Sequence, residues 1–160
     1  MEGLKKLEDV CEPDGRNLNR YDLDHSTGIA TPTSIASIHA LVESIRLNDN
    51  VPEEIRSHFE VARNLAMYSW FVYSFSEVAA MQALASLEMA VRDKTGDDKT
   101  AFKKLLDKLF KGRELAPEVS LAKAISWLRN ELAHGSTMLT GQGISFLRAC
   151  SELINELYPS

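Results

Sequence analysis

Apolar side chains begin to recur every three or four positions at Ser34. Ile35, Ile38, Leu41, Val42 and Ile45 follow the i, i+3, i+4, i+7 spacing of an amphipathic helix. Thr33 or Ser34 is placed to cap its start, and Asn48-Asp49-Asn50 ends it. Pro52 opens the next helical stretch, where its missing N–H costs nothing, and Glu53 and Glu54 suit the positive end of the helix dipole. No Gly or Pro follows until Gly96, so the pattern admits one very long helix or two joined by a kink. Phe59, Leu65, Tyr68, Trp70, Phe71, Tyr73 and Phe75 make its middle apolar nearly all round, which predicts the central element of the core. The same aromatic band is also able to line a ligand pocket.

Thr95-Gly96-Asp97-Asp98 reads as a turn. A helix over 99–111 places Phe102, Leu105, Leu106, Leu109 and Phe110 on one face, with Gly112 fitting its C-terminal end. Pro117-Glu118 opens another, with Leu121, Ala124, Ile125, Leu128 and Leu132 as its stripe and Gly135 at its close. After a loop over 136–143, Ile144, Leu147, Leu153, Ile154 and Leu157 define a last helix. No stretch alternates with period 2, so an all-α chain without a sheet is expected. Residues 1–33 hold no lasting period. They form a polar, weakly structured N-terminal arm, either solvated or docked on a partner subunit. Residues 34–160 form a single helical domain.

Composition narrows the function. The 160 residues carry a net charge of −5, so nucleic-acid binding requires a local basic patch. Much of the acid lies early, with 12 acids against 6 bases in residues 1–60. Residues 99–113 reverse this, with Lys99, Lys103, Lys104, Lys108, Lys111 and Arg113 against Asp107 alone. That run is a patch able to track RNA or a solvated helix face. Cys11 and Cys150 stand far apart with no CxxC, which argues against a disulfide framework or a zinc site and fits a cytoplasmic protein. The segment 64–87 holds only Glu77 as a charge, but its serines and Gln82 break the apolar run a membrane span needs. Met1 to Val10 carries five charged residues and no apolar run, unlike a signal peptide.

Histidines are few: His25, His39, His58 and His134. His39 and His58 lack a second His or Cys at i+4 and read as structural or surface residues. HExxH, Walker, GxSxG and GxGxxG patterns are absent, so no metal or cofactor is expected. His134 stands apart. It ends a helix before Gly135, and Asn130 lies four residues earlier on the same face. Arg129 lies about 140° from His134 around the axis, near enough for both to lean into one groove. A histidine moves protons near neutrality, and a guanidinium grips phosphate through paired hydrogen bonds. Together they suit RNA cleavage by its own 2′-hydroxyl, leaving a 2′,3′-cyclic phosphate. The bland alternative is an Arg129 paired with Glu131, Glu118 or another surface acid, and a His134 that caps the helix by its charge.

The segment Ser126–Gly135, SWLRNELAHG, resembles the signature of the HEPN superfamily: Arg, a polar residue, three or four variable residues, then His near the end of a late helix. Arg129, Asn130 and His134 match it position by position. Ala83–Arg92, ALASLEMAVR, is similar to the preceding core helix of such proteins. A second match to the spacing, Arg20 to His25, has no helical frame. The resemblance implies a bundle of four to five helices that dimerises, so that two Arg/His motifs form one composite RNase site. It implies a metal-independent endoribonuclease of the toxin–antitoxin or defence kind, with an antitoxin protein as a partner. Other members are non-catalytic modules that bind nucleotides or proteins. Glu88, in a mostly apolar helix, either orients Arg129 or His134 or pairs with Arg92 at i+4. Lys103, Lys104, Lys108 and Lys111 are the candidate RNA contacts.

Overall fold

A computed structural model describes residues 4–24, 26–116, 119–133 and 143–160, with backbone alone at 115, 116, 132 and 133. Two short 3-10 turns, Leu7–Asp9 and Asn17–Asn19, lead into β1 (Tyr21–Leu23) and β2 (Ala30–Pro32). Helices α1 (Ile35–Glu43), α2 (Glu53–Tyr68), α3 (Phe75–Thr95) and α4 (Phe102–Leu109) follow. Then come β3 (Glu114–Ala116), β4 (Val119–Ser120), α5 (Leu121–Ala133) and α6 (Gly143–Leu157). The chain is mostly helical, as the apolar spacing predicts, but two points differ. Six helices stand among the described residues, more than the four or five expected. Two short antiparallel hairpins, β1–β2 and β3–β4, also form. Each strand has two or three residues, too short for a period of 2 to register in the sequence.

Helix α3 is the axis. It packs along both α2 and α6. Ala79, Ala80, Ala83, Ser86 and Ala90 are all buried on it, and such small side chains let two neighbours approach closely. Large side chains come from the partners: Phe59 from α2, and Leu147 and Ile154 from α6, all fully buried. Helix α4 covers one flank through Phe102, Leu105 and Leu106. Ser34 caps α1 in a reciprocal box with Ser37 (3.1 and 2.9 Å). Gly96 ends α3 in the left-handed conformation (φ 62°) that favours glycine.

The stretch after Pro52 is two helices, broken at 69–74 without Gly or Pro. The N-terminal arm docks on this break. Asn17 is buried (1% exposed), and its amide donates to the carbonyls of Ser69 (2.8 Å) and Trp70 (3.0 Å). The Asp14 amide also donates to Trp70 (2.9 Å), and the Asp14 carboxylate accepts from the Tyr73 amide (3.3 Å). These contacts satisfy carbonyls that a helix end leaves without partners. The arm is therefore held at Asp14 and Asn17, which are buried, while Gly15 and Arg16 between them are exposed. It is docked on its own chain, and Arg16 lies over the Tyr73 ring at 4.3 Å.

The C-terminal end of α6 is tied to the 46–50 loop. The Asn155 amide donates to Arg46 (2.9 Å), and its oxygen accepts from the Asn48 amide (2.8 Å). Asn48 in turn donates to the Tyr158 carbonyl (2.8 Å). No helix among the described residues is long and apolar enough to cross a membrane.

Candidate functional site

Helix α5 buries Leu121, Ala122, Ile125 and Leu128, so its other face is left outward. Arg129 and Asn130 lie there, both exposed. The helix starts at Leu121, after β3–β4, later than the expected start at Pro117-Glu118. That pair lies outside the described residues, as do His134, Gly135 and the loop over 136–142.

Glu88 joins α3 to α5. One carboxylate oxygen accepts from Arg92 Nη2 (2.7 Å) and Nε (3.1 Å), one turn further along α3. The other stands 3.3 Å from Arg129 Nη2. Arg92 also donates to the carbonyls of Asp97 (3.2 Å) and Thr100 (3.4 Å). Two of the three partners that the sequence offered for Glu88, Arg92 and Arg129, are thus engaged together, and the third, His134, lies outside the described residues. Glu88 is only 19% exposed, whereas Arg129 is 55% exposed. The carboxylate therefore anchors one edge of the guanidinium and leaves the rest turned to solvent. An anchored, partly exposed guanidinium is what phosphate capture needs, because its fork is then pre-oriented.

Lys103, Lys104, Lys108 and Lys111 are all exposed. They occupy the outer side of α4 and the turn after it, opposite the buried Phe102, Leu105 and Leu106. Helix α4 packs against α5, so the basic run belongs to the helix beside Arg129.

Trp127 was missed from the pattern. It is 50% exposed and lies off the stripe of Leu121, Ile125 and Leu128, three residues before Asn130 and on its face. Its position off that stripe was the available signal. It borders an apolar depression of about 210 Å³ lined also by Leu84, Leu121, Phe146 and Cys150.

A larger depression, about 490 Å³, lies elsewhere, between α1 and α2. There Arg46, Arg56 and Arg63 are each held by the acid three residues earlier, Glu43, Glu53 and Glu60. Such a surface is already neutralised within itself. His39 lies in the same place, exposed and 4.0 Å from Glu43. His58 is structural, with Nδ1 2.8 Å from the buried Ser86 hydroxyl and Nε2 3.1 Å from the Gln82 amide. Among the described residues, no group of three or more His, Cys, Asp or Glu side chains is placed to hold a metal. Compared with protein families, with characterised proteins and with solved structures, the chain matches none.

Proposed function

We propose that this protein is a metal-independent endoribonuclease of the HEPN type, acting as a cytoplasmic homodimer in a toxin or defence system. His134 takes the proton of an RNA 2′-hydroxyl as that oxygen attacks phosphorus. The bond to the 5′-oxygen breaks, a proton returns to that oxygen, and a 2′,3′-cyclic phosphate remains. Arg129 holds the phosphate and offsets the charge that builds on it. Asn130 orients the pair, and Lys103, Lys104, Lys108 and Lys111 guide the RNA backbone. An antitoxin protein masks the site.

The observation that carries this reading is the anchoring of an exposed Arg129 by Glu88, because a guanidinium held at one edge is poised for an anion. A second reading, a non-catalytic module of the same kind, draws on the half-exposed Trp127 beside its apolar depression and on the net charge of −5. RNA incubated with purified protein in EDTA, beside His134→Ala, distinguishes the two. Cleavage that persists in EDTA, yields cyclic phosphate ends and vanishes in the variant supports the nuclease. Cleavage no greater than that of the variant on several RNAs, with antitoxin verified absent, supports the module.

A further inference from the structure

The first 29 residues expose Leu4, Leu7, Val10, Leu18, Tyr21, Leu23 and Ile29, and the last three belong to the β1–β2 hairpin or its turn. The ladder pairs Tyr21 with Pro32, Asp22 with Thr31 and Leu23 with Ala30. Tyr21, Leu23, Ala30 and Pro32 therefore share one apolar face, and Asp22 and Thr31 lie on the other. Both strands are exposed along their whole length. A lone two-stranded ladder with an uncovered apolar face is marginal and marks an interaction surface.

The hydrogen-bond pattern tells the two edges apart. The Thr33 amide donates to Arg20 (2.9 Å), and the Asp24 amide donates to Ile29 (2.9 Å). In an antiparallel ladder these bonded pairs alternate with non-bonded ones. The non-bonded pairs are Tyr21/Pro32 and Leu23/Ala30, whose backbone groups point away from the partner strand. On the β2 edge, Pro32 has no N–H, which blunts it. The β1 edge keeps a donor and an acceptor at both Tyr21 and Leu23, unpaired among the described residues. Tyr21 is 66% exposed and Leu23 53%.

Charge selects the occupant. Asp22 and Asp24 sit on the polar face of β1. Hydrogen bonds from the Ser26 hydroxyl and amide hold the Asp24 carboxyl down at about 2, so it is an anion at any physiological pH. Arg20, the nearest base on that face, is turned to the Asn17 side chain at 3.4 Å. A second copy pairing β1 with β1 about Asp22 would set Asp22 opposite Asp22, which is unfavourable.

We propose that the β1 edge is a docking site for an extended basic peptide segment of another protein. This segment adds as a third strand, with apolar residues over Tyr21 and Leu23 and alternate Lys or Arg residues beside Asp22 and Asp24. Main-chain bonds supply the affinity and the alternation supplies the specificity. The inference stands apart from the nuclease reading.

The test uses the full-length protein and a labelled, end-blocked peptide alternating Lys and Val, followed by fluorescence anisotropy and by amide exchange in NMR. The expected result is saturable binding that slows exchange at Tyr21 and Leu23. Leu23→Pro removes an outward donor but no ladder bond, and should weaken binding about tenfold, the worth of one hydrogen bond. Ala30→Pro does the same to the β2 edge and should leave binding unchanged, so any general loss of hairpin structure would be seen in both. Asp22→Lys should weaken the basic peptide and favour one alternating Glu and Val. Three outcomes overturn the proposal: no slowing at Tyr21 and Leu23, equal loss in both proline variants, or a concentration-dependent dimer abolished by Leu23→Pro.

Discussion

Glu88 stands 3.3 Å from Arg129 across the α3–α5 interface while its other oxygen holds Arg92 at 2.7 Å. Two guanidinium groups, one from each helix, thus share one largely covered carboxylate. Because Arg129 is more than half exposed, its pairing with Glu88 contributes little to stability. A double-mutant cycle of Glu88→Gln and Arg129→Gln by urea unfolding should give a coupling of about 0.5–1 kcal/mol. The effect on activity should be larger. If Arg129 grips phosphate, loosening its anchor in Glu88→Gln should lower RNA cleavage roughly ten- to a hundredfold, since small misplacements of a binding group are costly. Cleavage unchanged in Glu88→Gln would separate Glu88 from the reaction.

Asn17 should report the docking of the arm. Asn17→Ala removes two bonds, leaving the Ser69 carbonyl without its Asn17 donor inside a covered turn while Trp70 keeps the Asp14 amide. The expected loss is about 1–3 kcal/mol, seen as a lowered midpoint in urea. Limited proteolysis should then cut within residues 18–33 faster than in the parent. An arm that stays as resistant as before would mean that Asp14 and Arg16 suffice to hold it.

Much of this architecture is legible in the sequence. The Ile35–Val42 spacing, Pro52 with its two glutamates and the αL-tolerant Gly96 each announce a boundary by local chemistry. The break at 69–74 is not legible, because the groups that bond to its backbone, Asn17 and Asp14, lie more than fifty residues away. Nor are the hairpins, whose strands are shorter than the window over which a period is felt. At the candidate site, Glu88 was readable as a carboxylate in an apolar helix that needed a partner. That it serves Arg92 and Arg129 together depends on how α5 crosses α3, which no local pattern encodes. Trp127 escaped for a related reason: its importance is its exposure, and exposure is a property of the packed helix.

Gly143 should tolerate no side chain. It begins α6 against the first turn of α3, and its amide donates to the Ser76 hydroxyl at 3.1 Å. A Cβ there would overlap the Ser76 carbonyl and stand 2.5 Å from its hydroxyl. Gly143→Ala should therefore cost about 1–3 kcal/mol through overpacking, lowering Tm by roughly 3–10 °C for a chain of this size. Adding Ser76→Ala removes the hydroxyl but not the carbonyl, so it should restore only part of the loss. Full rescue would place the conflict in the side chain alone.

Alkaline pH should weaken the fold through two covered acids. Burial pushes the Cys150 thiol up to about 12 from an ordinary value near 9. Burial and the Asp93 carboxylate, 2.6 Å away, likewise raise the Tyr158 phenol. In both cases the folded chain keeps a proton that the unfolded chain releases. Stability is then intact below pH 9 and falls as pH rises, first through Cys150 and, above about 10, through Tyr158 as well. One such group corresponds to a slope of about 1.4 kcal/mol per pH unit. Urea midpoints measured from pH 7 to 11 should show this decline. Cys150→Ala should lower stability throughout but remove the part of the slope that starts near pH 9. Tyr158→Phe should leave that part and flatten the rest. The same geometry predicts unequal thiols at neutral pH: exposed Cys11 should react with a disulfide reagent at once, and Cys150 only as the chain unfolds. Prompt reaction of both in the native protein would mean that Cys150 opens to solvent without global unfolding, and the alkaline slope assigned to it should then be absent.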